Sequence, residues 1–133
     1  MNAEEVVLGA YAAFAKGDMK ALAEANHPNA KYRVNGSHRL SGSYNGFEDF
    51  RDNFLSLIDK ALPNFNLSID KVVSNTTDVC VFVTITADGL NTKSLHHFVV
   101  EDELQTEFNI YDDSQAMAKA IQPLWDIDTY WNE

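Results

Sequence analysis

The sequence predicts an α+β fold in which helices cover one face of a bent antiparallel sheet. Two observations carry this prediction. Apolar residues recur at helical spacing in the first half of the chain, and strand-like segments bounded by turn residues follow Pro63. Helices followed by a run of antiparallel strands are typical of this class. A curved sheet over helices encloses a cavity, so the pattern also predicts an internal pocket.

The chain begins with two predicted helices. The first, over residues 3–16, has its apolar residues on one stripe: Val7, Ala10, Tyr11 and Phe14. Gly17 follows where a left-handed C-terminal cap is usually needed. Asp18 is then predicted to cap a second, short helix. The pair His27-Pro28 is predicted to end that helix, because proline restricts the residue before it.

A short strand and a longer helix are predicted next. Residues 31–34 indicate a strand that ends at the turn signal Asn35-Gly36. The helix over residues 47–61 has an apolar stripe opposite its acidic residues: Phe47, Phe50, Phe54, Leu57, Ile58 and Ala61. Pro63 is predicted to end this helix.

The second half of the chain indicates sheet. Apolar and polar residues alternate over residues 65–70, and further strands are predicted over residues 79–87, 93–100 and 104–111. Connections as short as Asp88-Gly89 imply antiparallel pairing. Asp113 or Ser114 is predicted to cap a last helix that closes before Pro123, ahead of Trp125 and Trp131.

Length and charge restrict the classes of protein. The 133 residues predict one domain over residues 1–133, with residues 119–133 as a C-terminal extension. A net charge of −10 disfavours binding to nucleic acid or to an anionic membrane surface. The lone Cys80 cannot form an internal disulfide, and the N-terminus resembles no signal peptide. We therefore expect a cytoplasmic protein without a membrane span.

Three short stretches carry a family resemblance: Ala15-Lys16-Gly17-Asp18, the Gly-x-Tyr-x-Gly stretch at Gly42–Gly46, and Leu95-His96-His97-Phe98. In their order and spacing, residues 3–118 resemble the polyketide-cyclase-like (SnoaL-like) and ketosteroid-isomerase-like branch of the nuclear-transport-factor-2-like (NTF2-like) superfamily. The resemblance implies a cone-shaped curved sheet wrapped around three N-terminal helices. It also implies a pocket open at one end and a homodimer formed through the outer sheet face. Relatives include cyclases, isomerases, dehydratases and epoxide hydrolases.

The resemblance to ketosteroid isomerases places three functional positions in this chain. A pocket tyrosine falls on Ala10, a base aspartate falls on Val34, and an acid aspartate falls on His96. Tyr11 is one residue from the first position, which rotates its phenol by about 100° around the helix. Neither Tyr11 nor Val34 is expected to do the acid–base work, so a steroid-type isomerase is disfavoured. His96 keeps a group that exchanges protons near neutral pH.

The two adjacent histidines must point to opposite faces of their strand, and the resemblance directs His96 and Phe98 inward. His96 is a general acid or base in one interpretation and a hydrogen-bonded core or interface histidine in the other. Polar residues share one face of the last strand, which lies in the pocket or faces solvent or a partner: Gln105, Glu107, Asn109 and Tyr111. The resemblance directs Glu107 and Tyr111 inward, and a glutamate beside a histidine in an apolar cavity can share one proton.

Asp112 matches an aspartate that cyclase-like relatives carry at the end of this strand, although capping the next helix is its other interpretation. The predicted pocket wall is largely aromatic: Tyr11, Phe14, Tyr32, Val34, Phe54, Phe98 and Tyr111. The histidines have no i,i+4 pair, and the chain has no phosphate-binding or nucleophile motif. We predict no metal and no cofactor.

Three functions follow as hypotheses. The first is a cofactor-free lyase or isomerase, cyclase-like, that acts on a hydrophobic carbonyl compound, with His96, Glu107 and Asp112 as catalytic residues. The second is a binding protein whose pocket holds a hydrophobic small molecule without chemistry. The third is a protein-interaction domain that uses an exposed apolar surface.

Overall fold

A computed structural model of the protein describes residues 1–122. Its helices and strands, in chain order, are α1 (Ala3–Lys16), α2 (Met19–Glu24), β1 (Asn26–Val34), β2 (Gly42–Asn45), α3 (Phe47–Asn53), α4 (Ile58–Ala61), β3 (Asn66–Ser74), β4 (Asp78–Ala87), β5 (Leu90–Glu101), β6 (Leu104–Asp112) and α5 (Ser114–Ala120). The predictions for Pro123, Trp125 and Trp131 lie outside the described residues.

The six strands form one curved, unclosed sheet in the order β2-β1-β6-β5-β4-β3. All neighbouring strands pair antiparallel except β1 and β6, which are parallel. The α+β prediction is confirmed, with the N-terminal helices packed on the inner face of the sheet. No helix within residues 1–122 has the length and apolar character that crossing a membrane requires.

Local capping sets the bounds of α1, and the prediction for residues 3–16 is confirmed. The Asn2 side chain accepts a hydrogen bond from the Glu5 N–H at 2.8 Å, and the Glu5 carboxylate accepts one from the Asn2 N–H at 3.0 Å. Gly17 ends the helix in the left-handed region, with φ of 70°. Asp18 then caps α2 by accepting from the Ala21 N–H.

β1 begins at Asn26, earlier than the predicted start at Lys31, and it contains His27 and Pro28. The prediction that this pair ends the second helix is wrong, because α2 already ends at Glu24. The register with β6 passes directly from Asn26 to Lys31. Pro28 therefore lies where β1 makes no ladder pair with β6, and its missing N–H costs nothing there.

The predicted helix over residues 47–61 is broken in two. Phe54 leaves helical geometry at φ −130° and ψ −65°, and a 3₁₀ turn over Leu55–Leu57 separates α3 from α4. The Ser56 hydroxyl donates to the Asp52 carbonyl at 2.6 Å, so it occupies the acceptor that a continuous helix would use. The apolar stripe still packs on the sheet, since Phe50, Phe54 and Ile58 are buried.

The inner and outer faces of the sheet differ in burial. The inward side chains of β4 are fully or almost fully buried: Val79, Val81, Val83 and Ile85. On the outer face, Val73, Phe82 and Tyr111 are 50%, 40% and 51% exposed. Phe82 pairs with Leu95, which pairs with Tyr111, so apolar side chains form a row across three strands of the outer face.

Candidate functional site

A cavity of about 100 Å³ lies between the inner sheet face and the helices. Six of the predicted wall residues line it: Tyr11, Phe14, Tyr32, Val34, Phe54 and Phe98. Aromatic rings dominate the wall, and the Phe98 and Phe108 rings stack with centroids 4.2 Å apart. The wall is therefore suited to a flat apolar group.

A tyrosine and a histidine meet inside this cavity. The hydroxyl of Tyr11, on α1, lies 2.6 Å from Nδ1 of His96, in the middle of β5. The two rings are stacked with an interplanar angle of 2°. His96 is 5% exposed, and burial lowers its pKa to about 3. Burial also raises the pKa of Tyr11, so both groups are neutral at pH 7.

Hydrogen bonding decides which nitrogen of His96 holds the proton. If Tyr11 donates to Nδ1, the only polar atom of the pair left without a partner among residues 1–122 is the Nε2–H. The opposite tautomer leaves both the phenol proton and the Nε2 lone pair unpaired. The first arrangement leaves fewer hydrogen-bonding groups unpaired and is therefore favoured. His96 therefore presents an Nε2–H donor to the cavity.

Tyr11 lines the cavity, where the sequence predicted it, although it is one residue from the position of the pocket tyrosine. Both Ala10 and Tyr11 line the cavity, because its wall spans more of α1 than one residue position. Val34 lines it as well, at the place that the resemblance gives to a base. The chain thus has a phenol one position along α1, hydrogen-bonded to the histidine of β5.

Glu107 and Tyr111 do not lie in the cavity, so their predicted inward placement is wrong. Both residues are exposed on the outer face of β6. The register places Phe108 and Ile110 inward beside Phe98 and His96, so Glu107 and Tyr111, which alternate with them, face outward. The register then shifts, since Val99 pairs with Glu107 and Val100 pairs with Gln105. The extra residue, Thr106, reverses the alternation, as a β-bulge does. Gln105 points inward as a result, and the predicted His96–Glu107 pair does not form.

His97 faces outward, opposite to His96, as the alternation predicts. Its Nε2 lies 2.8 Å from a carboxylate oxygen of Asp78, and its Nδ1 lies 3.2 Å from the side-chain nitrogen of Asn109. Asn109 therefore donates to Nδ1 and Nε2–H donates to Asp78, which gives the ring a partner at each nitrogen. Across residues 1–122, no group of three or more His, Cys, Asp or Glu is placed to hold a metal ion.

Asp112 lines the cavity. It is the next inward residue of β6 after Ile110, which pairs with His96. It pairs across the sheet with Ser94, whose hydroxyl donates a hydrogen bond to the Asp112 carboxylate. Burial raises the pKa of Asp112, and the Ser94 hydrogen bond offsets part of that effect. The alternative role, capping the last helix, belongs to Asp113, which accepts from the Ala116 N–H at 3.1 Å.

Sequence reasoning missed a buried amide network in the cavity wall. The Tyr32 hydroxyl and the Gln105 side-chain nitrogen both donate to Oδ1 of Asn26, at 2.8 and 3.1 Å. Asn26 in turn donates to the Leu22 carbonyl. His38 also lines the cavity, and its Nδ1 accepts from the Leu40 N–H at 3.2 Å. The polar face of the last strand was the only sequence signal for Gln105.

The comparison with protein families identifies the chain. Residues 7–108 match the model of the SnoaL-like domain. This protein belongs to the SnoaL-like family. No curated protein shows significant similarity to this SnoaL-like chain. The match to the family model confirms the predicted resemblance to the NTF2-like superfamily and its SnoaL-like branch.

Several solved structures share the fold of this SnoaL-like protein. An NTF2-like protein from Burkholderia thailandensis aligns with a TM-score of 0.81 and 16% identity, over 92% of this chain and 99% of that chain. Bal32a, from a soil-derived mobile gene cassette, gives a TM-score of 0.81 and 24% identity over 90% and 95% of the two chains. TerC, co-crystallised with polyporic acid, aligns with a TM-score of 0.77 and 21% identity, over 87% of this chain and 95% of that chain.

Proposed function

We propose that the protein binds a hydrophobic, carbonyl-bearing small molecule in its cavity and acts on it without a cofactor, as a lyase or isomerase of the cyclase type. The observation that carries this proposal is the buried Tyr11–His96 pair, which presents one N–H donor to an aromatic wall. The SnoaL-like fold and its cavity support small-molecule binding in general. TerC, which has a similar fold, was co-crystallised with the small molecule polyporic acid.

His96 polarises the ligand in this proposal. The carbonyl oxygen accepts a hydrogen bond from Nε2–H, and negative charge that develops on the oxygen is stabilised there. Such a donor is stronger in a dry cavity than in water. Donation from Tyr11 to Nδ1 holds the ring in the required tautomer. With a pKa near 3, His96 acts as a neutral hydrogen-bond donor rather than as a base.

Asp112 supplies the base. Its carboxylate removes a proton from the carbon next to the carbonyl, and the electron pair of that C–H bond moves to the carbonyl oxygen, which is bound to His96. In a ligand with a carbon–carbon double bond conjugated to the enolate, return of the proton from Asp112 to the far carbon of the conjugated system isomerises the ligand. In a ligand with a second carbonyl, attack of the enolate carbon on that carbonyl closes a ring, and Asp112 returns its proton to the new alkoxide. Burial strengthens Asp112 as a base because it raises the pKa of the carboxyl.

The volume of the cavity limits the ligand. Ligand pockets usually enclose about 300–1,000 Å³, and an apolar cavity of about 150 Å³ accommodates benzene. The 100 Å³ present here fits a ring-sized group after small shifts of the walls. Single-ring aromatic ketones are therefore the first ligands to test, and two-ring ketones are the second.

Thermal unfolding with these ketones tests the proposal. A ligand present at 100 times its dissociation constant adds about 2.7 kcal/mol to the free energy of unfolding. We expect stabilisation of the wild type and none in Val34→Trp, which fills the cavity. The matched control, Val73→Trp, places the same residue on the exposed outer face and keeps the stabilisation. Equal stabilisation of Val34→Trp and Val73→Trp would refute the proposal. No stabilisation of the wild type would also refute it, and would favour a protein partner instead of a small molecule.

A ligand-binding protein without catalysis is the second candidate. The apolar Val34, which lines the cavity at the position that the resemblance gives to a base, favours this candidate. In that case His96→Gln, which keeps a donor, preserves the affinity for ketones. No exchange of ligand protons with solvent would then be measured in the wild type.

We also propose a homodimer formed through the outer sheet face. Phe82 and Tyr111 lie in the exposed apolar row across β4, β5 and β6, and a partner would remove them from water. Sedimentation should show a dimer for the wild type and a monomer for Phe82→Glu. Met19→Glu is the control, because Met19 is 37% exposed on α2, away from this row, and it should leave the dimer intact. A dimeric Phe82→Glu variant would exclude this interface.

A further inference from the structure

A second polar group of the cavity wall, Gln105, has an orientation fixed by its neighbours. The side-chain nitrogen of Asn26 donates to the Leu22 carbonyl at 2.8 Å, which turns Oδ1 of Asn26 toward Gln105. Oδ1 can only accept, so the Gln105 amide must present its nitrogen to it, at 3.1 Å. The remaining atom of the amide, Oε1, therefore points away from the network.

Oε1 of Gln105 is buried and has no hydrogen-bond partner within residues 1–122. The residue is only 3% exposed and lines the cavity. Folded proteins rarely leave a buried acceptor unpaired, because it has lost its water and gained nothing in return. A hydrogen-bond donor inside the cavity would therefore satisfy this acceptor.

We propose that Gln105 Oε1 accepts a hydrogen bond from a hydroxyl or N–H group of the ligand. This inference rests on the proposed function and narrows its ligand class to aromatic carbonyl compounds with a donor at the end opposite the carbonyl. His96 binds the acceptor end and Gln105 binds the donor end. Gln105 is thus a specificity-determining residue, which recognises a group distant from the reacting carbon.

The sheet register gives the spacing of the two ends. His96 pairs with Ile110, Phe98 with Phe108, and Val100 with Gln105. The stacked Phe98–Phe108 pair therefore lies between the two polar ends. His96 and Val100 are four residues apart on β5, which separates their backbones by about 13 Å. This separation of the backbones is the reason to probe the cavity with bodies of one ring and of two rings.

Affinities of matched ketones test the inference. The probes are acetophenone, 4-hydroxyacetophenone and 4-methoxyacetophenone, with benzophenone and 4-hydroxybenzophenone as the two-ring pair. We expect the wild type to bind the hydroxy compound of at least one pair about tenfold more tightly than its parent ketone. The methoxy compound should bind no better than acetophenone, because it offers Oε1 no donor.

Variants show whether Gln105 recognises the hydroxyl. Gln105→Met should abolish the preference for hydroxy compounds. Gln105→Glu should retain it at a pH low enough to protonate the buried carboxyl, because the O–H then replaces the amide N–H as donor to Oδ1 of Asn26 and the other oxygen still accepts. Leu104→Met is the matched control: it alters the neighbouring residue of the same strand, which does not line the cavity, and it should keep the preference. If Gln105→Met does not fold, the wild-type ligand pairs and Gln105→Glu decide the question.

The outcomes separate this inference from the proposed function. If no ketone binds, both are refuted. If ketones bind equally with and without a hydroxyl, Oε1 is satisfied by a buried water instead, and only the inference on Gln105 is refuted. A preference that persists in Gln105→Met also refutes it, because another residue then recognises the donor.

Discussion

Asp112→Asn is expected to slow exchange of a bound ketone's α-protons with solvent deuterium by at least about 100-fold, while its affinity changes little. The amide has nearly the shape of the carboxylate and still accepts from Ser94, but it cannot remove a proton. Loss of the ligand α-proton signal in D₂O, followed by NMR, measures the rate without knowledge of the product. Because the base must be ionised, the wild-type rate should fall as the pH drops through the raised pKa of Asp112.

Glu107→Gln is the control for this experiment. It makes the same chemical change on the same strand, but on the exposed outer face. The exchange rate should match the wild type. If Glu107→Gln lost exchange, or if Asp112→Asn retained it, the assignment of the base to Asp112 would be wrong.

Phe50→Ala is expected to cause the largest loss of stability, about 3–5 kcal/mol in the free energy of unfolding. Phe50 is 2% exposed, and its ring stacks on those of Tyr32 and Phe54 with centroids 4.1 and 4.7 Å away. Its removal would leave a cavity between α3 and the sheet. Urea unfolding measures the loss.

Phe82→Ala is the matched control for Phe50→Ala. Phe82 is the same residue type but is 40% exposed on the outer face, so we expect a loss of about 1 kcal/mol or less for the monomer at low concentration. A similar loss for the two variants would show that the aromatic cluster around Phe50 does not stabilise the fold as described.

The elements that were predictable from the sequence are those with local causes. The capping box of Asn2 and Glu5 and the left-handed Gly17 fix α1 within a few residues of the chain. The apolar stripe over residues 47–61 was correct as a buried face but not as one helix. The hydroxyl of Ser56 competes for a backbone carbonyl there, and this effect is too weak to recognise from sequence.

The candidate site depended on long-range register, which sequence alone does not show. Alternation was enough to separate His96 from His97. The pairing of β5 with β6 put Phe108 and Ile110 inward and so turned Glu107 outward, and a single extra residue at Thr106 then brought Gln105 back to the inner face. Tyr11 and His96 come together from α1 and β5, which are joined only through the tertiary fold.

The NMR spectrum of the His96 imidazole, titrated with acetophenone, tests the central claim most directly. The His96→Gln variant assigns the signal by its loss. We predict a neutral ring at pH 7 with the proton on Nε2, and an Nε2–H resonance that moves downfield as the carbonyl binds, while the outward-facing His97 is unaffected. A ring protonated on Nδ1, or an Nε2–H resonance unchanged at saturating ketone, would contradict this account.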